Sequence, residues 1–367
     1  MSEKPTLYGR IHPLNKAWLA KLPPEEILEP GLPMIDTHHH LWDRLPAALP
    51  QGQDSQDNVY LLDEFAQDLN SGHNTIATVY LQCHAKYRTT GPQEMQPVGE
   101  TEFAAGVGAM SDRGAHGKTR VCLGIVGAAD LILGDRVQPV LEAHVHAGEG
   151  RFRGVRASAA FDADPIIGNT TDAPGMYLQA DFRAGVARLT EMGLSLDAWV
   201  FHTQLAEVTS LARACPATHI IMGHCGGPLG YGPYAGKSDA IFAEWKRSVT
   251  ELADCPNVTI KLGGMLIRLA AFDYINRQSP PSSAELARLW SPYIDTCIDA
   301  FGPGRCMFES NFPVEKMGAS WNTLWNAFKR ITAGASADEK TMLFSSTAQR
   351  VYRLRSNRPC HSIPEHA

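Results

Sequence analysis

Two histidines near residue 40 carry the clearest chemical signal in the chain. His38 and His40 lie in the run MIDTHHHLWD at 34–43, where an apolar strand start leads into a His-x-His pair. Because alternate residues of a strand point to the same side, Asp36, His38 and His40 are expected to face together while His39 faces away. Two imidazoles and a carboxylate that converge can hold a metal ion. The alternative is an exposed histidine cluster with no chemical role.

Two further histidines follow apolar runs later in the chain. His202 ends the run DAWVFH, and His224 follows the run IIMG. If both runs are strands of one parallel barrel, their ends meet at the same face as His38 and His40. Four imidazoles at one face predict a shared site more specifically than any one of them does.

The last apolar run of the chain ends in the polar residues Glu309 and Asn311. Strand alternation places the two on one face. A carboxylate there suits a metal ligand or a proton acceptor, whereas an asparagine amide orients a substrate or water and cannot act as a base. The alternative for Glu309 is a buried partner of Arg156 or Lys261.

Arg156 lies on a predicted strand in the middle of the chain. Its planar guanidinium pairs with a carboxylate through two hydrogen bonds and stays charged at every relevant pH, so it suits a carboxylated substrate. A salt bridge that caps the barrel is the alternative.

Eight short apolar runs alternate with amphipathic segments of helical length. The predicted strands are residues 34–37, 75–82, 119–126, 152–156, 195–201, 219–223, 258–262 and 306–309. The predicted helices are residues 61–69, 100–110, 137–146, 182–192, 205–215, 240–253, 284–301 and 321–331. Eight strand–helix pairs predict an α/β fold, the (β/α)8 TIM barrel, with the active site at the C-terminal ends of its strands.

The segments outside this pattern predict the domain organisation. Proline-rich residues 1–33 are expected to form an irregular N-terminal arm, residues 34–355 the barrel, and residues 356–367 a frayed tail. Several strand-to-helix segments are long and are expected to form loops at the C-terminal face that build a lid or a subunit contact.

Composition excludes several classes of partner. With 33 lysines and arginines against 39 acidic residues, the chain has no basic surface of the kind that binds nucleic acid. No apolar stretch reaches the roughly 18–20 residues that span a bilayer, and the first ten residues do not resemble a signal peptide. We therefore expect a soluble, cytoplasmic protein that binds neither nucleic acid nor membranes.

The motifs together resemble the amidohydrolase superfamily, in the branch that holds 2-pyrone-4,6-dicarboxylate lactonase and sugar-acid lactonases. The segments that carry this resemblance are IDTHHHLWD, DAWVFH, GHCGGP, NVTIKL and FESNFPV. It implies His38 and His40 as the metal pair of the first strand, joined by His202 and His224 from the fifth and sixth. It also places Asn311 where many relatives carry an aspartate that contacts the metal or takes a proton from the attacking water.

The resemblance implies a metal-dependent hydrolase that opens a lactone, or a similar ester or amide, of a small carboxylated molecule. The expected cofactor is a divalent metal, zinc first, with iron or manganese and a mono- or dinuclear centre as alternatives. Because Asn311 cannot be the base, Glu309 or Asp36 would move protons, with Arg156 holding the substrate carboxylate.

Four other functions stay open at this point. They are a non-haem iron or manganese dinuclear oxygenase, a metal-dependent decarboxylase, a lactonase that uses its histidines alone, and an inactive structural subunit. The long loops and the arm favour a homo-oligomer or a hetero-oligomer with a related barrel subunit.

Overall fold

The computed structural model describes residues 14–43, 59–269 and 277–354. Eight parallel strands form one sheet in which neighbours follow chain order. The strands are β1 Met34–His39, β2 Thr75–Leu81, β3 Arg120–Gly127, β4 Phe152–Ser158, β5 Ser195–Trp199, β6 Ile220–Met222, β7 Val258–Leu262 and β8 Cys306–Phe308. A separate antiparallel pair joins Trp42–Asp43 to Val59–Tyr60.

Each strand is followed by a helix. The helices are α1 Leu62–Leu69, α2 Val98–Asp112, α3 Gln138–Ala147, α4 Ala180–Glu191, α5 Leu205–Ala214, α6 Ser238–Ala253, α7 Ser283–Phe301 and α8 Trp321–Ile331. The prediction of a (β/α)8 TIM barrel is confirmed, and most of the predicted bounds agree within two residues.

The barrel closes between β8 and β1 through the segment that follows β8. The backbone N–H of Asn311 donates to the carbonyl of His38 at 2.8 Å, and that of His40 donates to the carbonyl of Phe312 at 2.7 Å. Three residues of this seam, His38, His40 and Asn311, are also predicted site residues. The contacts that close the barrel thus also hold His38 and His40 beside Asn311.

Helix α8 shows how the outer helices bind the barrel. The Ser320 side chain accepts the N–H of Thr323 and so caps the first turn. Trp321, Trp325 and Phe328 recur at helical spacing on the buried side of α8. Phe328 stacks on Phe308 of β8, with ring centroids 4.6 Å apart. This apolar contact holds the strand that carries the site.

A polar cluster lies inside the barrel among otherwise apolar strands. Lys261 of β7 places its Nζ 2.9 Å from Oδ1 of Asp197 on β5. The hydroxyl of Tyr352 donates to the same carboxylate oxygen at 2.7 Å. Lys261 is therefore a partner of Asp197, and the predicted alternative of a Glu309–Lys261 pair is wrong.

Part of the predicted N-terminal arm is described. Over residues 14–33 its regular structure is one short helix, Lys16–Leu19. The ammonium of Lys329 on α8 donates to the carbonyls of Leu28 at 2.7 Å and Glu29 at 3.0 Å, so the arm is tied to the barrel. The predicted frayed tail lies outside the described residues, and the domain bounds stay a prediction. No helix among the described residues is long and apolar enough to cross a membrane.

Candidate active site

The strand ends open into a cavity of about 560 Å³. Its polar lining includes His40, Gln82, His84, Arg156, His224, Arg268, Asn311 and Glu315. Its apolar lining includes Trp42, Leu131, Ile132, Met176, Phe182 and Trp199. A concave site with a few convergent polar groups on an apolar wall is typical of a small-molecule site.

His38 and His40 face each other at the end of β1. Their Nε2 atoms lie 3.2 Å apart. Nδ1 of His40 lies 2.8 Å from the carbonyl oxygen of Leu81, and a carbonyl only accepts, so the His40 proton is on Nδ1. Nδ1 of His38 lies 2.7 Å from Oε2 of Glu309, and a carboxylate oxygen only accepts. That neighbour also places the His38 proton on Nδ1, so both Nε2 atoms carry lone pairs.

Two lone pairs at this separation repel each other unless a cation is near both. Zinc–nitrogen bonds of about 2.0–2.1 Å that meet at a tetrahedral angle hold two nitrogens about 3.3 Å apart. The observed 3.2 Å between the Nε2 atoms of His38 and His40 fits that value. The acceptors at their Nδ1 atoms, Leu81 and Glu309, are the outer contacts that fix ligating imidazoles. The pair therefore fits one divalent metal ion.

Glu309 joins His38 to His224. Its Oε1 accepts the Nδ1–H of His224 at 2.6 Å and the backbone N–H of His224 at 2.9 Å, while its Oε2 faces His38. Potential ligand atoms of these three residues lie within 4.8 Å of one another. Because both of its carboxylate oxygens face imidazoles, Glu309 orients the two rings. Nε2 of His224 has no hydrogen-bond partner among the described residues.

The protonation states follow from this geometry. Burial opposes ionisation of Glu309, but His224 and His38 hold the pKa of its carboxyl well below its usual value. Burial lowers the pKa of His38 far below the ordinary 6.5 and that of His224 below it as well. At neutral pH the site thus combines a carboxylate with neutral imidazoles, which can bind a metal or accept a proton.

The backbone is strained where it lines the cavity. His84, His224 and Asn311 have φ angles of +64°, +55° and +52°, in the left-handed region that residues with a side chain rarely adopt. Such conformations persist only where surrounding contacts hold them, and they cluster at functional sites.

Two glycines after β7 make room for the Glu309–His224 pair. Gly264 has a φ of +63°, and a Cβ placed there would overlap the ring of His224. A Cβ on Gly263 would overlap the backbone oxygen of Glu309 and lie 2.7 Å from its Cγ. The absence of side chains at both positions lets the imidazole and the carboxylate meet.

Two arginines reach the cavity from different elements. Nη1 of Arg156 on β4 donates to the carbonyl of Gln82 at 3.1 Å. Nη1 of Arg268, in the short helix Leu266–Leu269, donates at 2.8 Å to both the carbonyl of Ile167 and the hydroxyl of Tyr231. Among the residues that the structure describes, Arg156 forms no ion pair, and its side chain lines the cavity.

Comparison with known proteins identifies the family. The chain matches the amidohydrolase family over residues 35–354. This chain belongs to the amidohydrolase family. It is 32% identical over 332 residues to protein y4mH of Sinorhizobium fredii, a match that covers 88% of this chain and 98% of y4mH.

Two other relatives bear on the site. An L-fucono-1,5-lactonase of Burkholderia multivorans is 32% identical over 176 residues, which are 48% of this chain and 56% of the lactonase. A crystal structure of a zinc-bound amidohydrolase from Burkholderia multivorans superposes with a TM-score of 0.66 at 25% identity, covering 88% of this chain and 99% of that one. The family and enzyme predictions are confirmed, and the chain is a hydrolase of the amidohydrolase family.

Asp36 is not among the residues that line the cavity. Oδ1 of Asp36 accepts the backbone N–H of Ser310 at 2.8 Å, and Oδ2 accepts its hydroxyl at 2.7 Å. The pairing of β1 with β2 shifts register between Asp36 and His39, so simple alternation does not hold along this strand. The carboxylate of Asp36 therefore bonds to Ser310 and to the backbone N–H of His38. The hydrogen bonds to Ser310 link β1 to the segment that follows β8.

His202 is also kept apart from the other histidines. Strand β5 ends at Trp199, two residues earlier than predicted, and His202 begins a short 3-10 helix. Its ring packs edge-on against Tyr234, with centroids 5.3 Å apart, and does not line the cavity. Trp199 occupies the strand-end position that was expected for His202. Its ring contacts the His224 ring, with centroids 4.6 Å apart.

The structure adds two residues to which the sequence had assigned no role. Glu315 and Arg268 line the cavity, and both lie in short helices beyond strand ends rather than on strands. A signal for Glu315 was present, since it stands four residues after Asn311, one helical turn away. Arg268 offers no comparable signal.

Proposed function

We propose that this amidohydrolase opens a lactone of a small carboxylated molecule and that His38 and His40 hold a divalent metal, zinc first. The observation that carries the metal assignment is the pair of Nε2 lone pairs 3.2 Å apart. The lactone assignment is supported by the relative named L-fucono-1,5-lactonase.

The residues of the chain divide the work in this reaction. A divalent metal, when bound, would lower the pKa of a coordinated water to near neutrality and so supply hydroxide. His224 presents Nε2 to the cavity as a proton acceptor, because its Nδ1–H is committed to Glu309. Glu309 stabilises the imidazolium that forms when His224 accepts a proton, as a carboxylate does for a catalytic histidine.

Arg156 would hold the substrate carboxylate. Its guanidinium lines the cavity with His224, and one of its nitrogens is anchored on the carbonyl of Gln82. The anchor fixes the plane of the guanidinium, and a fixed plane favours a bidentate pair with a carboxylate. The apolar side chains of the lining, among them Trp42 and Trp199, would then pack against the rest of the substrate.

The metal assignment is tested by elemental analysis of protein purified without a histidine tag or chelator. We expect about one zinc per chain in the wild type and loss of that metal in the double variant His38→Ala, His40→Ala. His39→Ala is the matched control, because His39 lies on the same strand but packs on Phe65, with centroids 4.4 Å apart. Metal retained by the double variant would overturn the assignment.

The reaction class is tested by incubating the enzyme with carboxylated lactones in H₂¹⁸O. Hydrolysis places one ¹⁸O atom in the product carboxylate and consumes base in a pH-stat. Oxygen uptake with nearly two iron or manganese ions per chain would favour the oxygenase, and carbon dioxide release the decarboxylase. Activity of the isolated chain would exclude the inactive subunit, while activity that persists in metal-free protein would favour the histidine-only lactonase.

A further inference from the structure

One buried carboxyl group in the cavity has no part in the reaction described so far. The side chain of Glu315 is 1% exposed and lines the same cavity as Arg156 and His224. It lies beside Asn311, the residue that replaces the aspartate expected from the family resemblance. The carboxyl group that position 311 lacks is thus present nearby, on a different residue.

Glu315 has few partners to stabilise a negative charge. The N–H of Leu266 donates to its Oε2 at 2.9 Å, and Nδ2 of Asn311 lies 3.5 Å from its Oε1. Among the described residues no cation pairs with it, and the nearby carboxylate of Glu309 disfavours a second negative charge. Burial raises the pKa of Glu315 to about 8, so the group carries a proton at neutral pH.

Lactone opening requires a proton donor as well as a proton acceptor. When water attacks the carbonyl carbon, the bond from that carbon to the ring oxygen breaks and the ring oxygen departs as an alkoxide. An aliphatic alkoxide is a poor leaving group unless an acid protonates it during departure. His224 begins the reaction with Nε2 unprotonated, whereas Glu315 already carries a proton, so the cavity holds a separate acceptor and donor.

We propose that Glu315 is the general acid that protonates the departing ring oxygen, an assignment that rests on the proposed function. The carboxylic acid gives its proton to the ring oxygen as the acyl–oxygen bond breaks, and the product leaves as a hydroxy acid. The proton that His224 took from water then returns to the Glu315 carboxylate through solvent in the cavity. One water is consumed and both groups regain their starting state.

The test is the leaving-group dependence of Glu315→Gln. Two carboxylated probes are compared, a dihydrocoumarin, whose leaving oxygen is a phenol, and a δ-valerolactone, whose leaving oxygen is an aliphatic alcohol. We expect kcat/KM to fall by about 100-fold or more for the aliphatic lactone and by less than about 10-fold for the aromatic one. Both probes are measured on one preparation, so the folded fraction cancels from the ratio.

Two variants complete the design. Glu315→Asp keeps an acid in the cavity and is expected to recover part of the activity on the aliphatic lactone, whereas a purely structural role would give equal losses on both probes. Glu102→Gln, a surface change in a pair with Arg88, is the control and should leave both rates unchanged.

The outcomes separate the two proposals. Equal losses in Glu315→Gln on both lactones would overturn the role of Glu315 and leave lactone hydrolysis standing. A wild type that opens neither lactone would overturn the proposed function, and the assignment of Glu315 with it. A difference infrared spectrum of wild type minus Glu315→Gln at pH 7 should show the C=O band of a protonated carboxylic acid, and its absence would also overturn the assignment.

Discussion

Glu309 and Glu315 are two glutamates in one short segment, both almost fully buried, and their surroundings give them opposite properties. Glu309 faces imidazoles at both of its oxygens and accepts a backbone N–H as well, and the pKa of its carboxyl lies well below the ordinary value. Glu315 has one backbone N–H and one distant amide, and burial raises the pKa of its carboxyl to about 8.

The comparison shows that burial alone does not decide the charge of a carboxyl group. What decides it is the number of N–H donors aimed at the carboxylate, because these replace the water that burial removes. A single barrel end therefore holds an ionised glutamate that fixes two histidines and a protonated glutamate that can donate. Pairs of titratable groups whose pKa values are driven apart are typical of acid–base sites.

The largest effect should come from removing the charge of Glu309. In Glu309→Gln an amide replaces the carboxylate that His38 and His224 face, and it cannot accept at both of its ends. Loss of one such partner typically costs 10–100-fold, so disturbing two rings should lower kcat/KM on a carboxylated lactone by on the order of 1000-fold. Steady-state kinetics and metal content measure the effect. Activity close to the wild type would show that Glu309 does not orient the rings.

A smaller effect is expected from moving His224 while keeping Glu309. In Gly264→Ala the added methyl group overlaps the His224 ring and should displace it from the carboxylate. We expect kcat/KM to fall by about 10–100-fold. Gly193→Ala is the matched control, because Gly193 has a φ of +65° but open space around its Cβ position. Equal losses in both variants would assign the effect to backbone strain instead of the overlap.

The smallest effect is a difference in how stability depends on pH. The carboxyl of Glu315 ionises near 4.5 when unfolded and near 8 when folded, so its contribution to stability falls as pH rises between these values. Glu315→Gln has no such group. Its melting temperature relative to the wild type should therefore rise from pH 5 to pH 9, by on the order of a few degrees. Differential scanning calorimetry measures this, and a constant difference would show that Glu315 is ionised when folded.

Glu309 affects the stability of the fold in a different pH range. Because its pKa in the folded state is depressed, its contribution to stability is present above the unfolded value near 4.5 and is lost as pH falls below it. The relative melting temperature of Glu309→Gln should therefore change below pH 5 and stay level above it, which is the reverse of the Glu315→Gln pattern.

The sequence predicted the relative position of residues that are close to one another in the chain. His38 and His40 are two residues apart, and their Nε2 atoms do converge. It also selected Glu309, Asn311 and Arg156, and the structure brings all three to the site. The structure does not bring His202 to the cavity lining, because β5 ends two residues before the predicted bound and the chain turns. An apolar run shows that a strand exists better than it shows where the strand ends.

The sequence alone determined the barrel, because its eight apolar runs and their helices are read from spacing within each segment. Only the tertiary structure decided which polar side chains meet. Asp36 bonds to Ser310, which is 274 residues away, and that contact exists only once the sheet has closed on itself. The charge of Glu309 and the proton of Glu315 depend on donors from elements distant in the chain, and no local pattern records those donors.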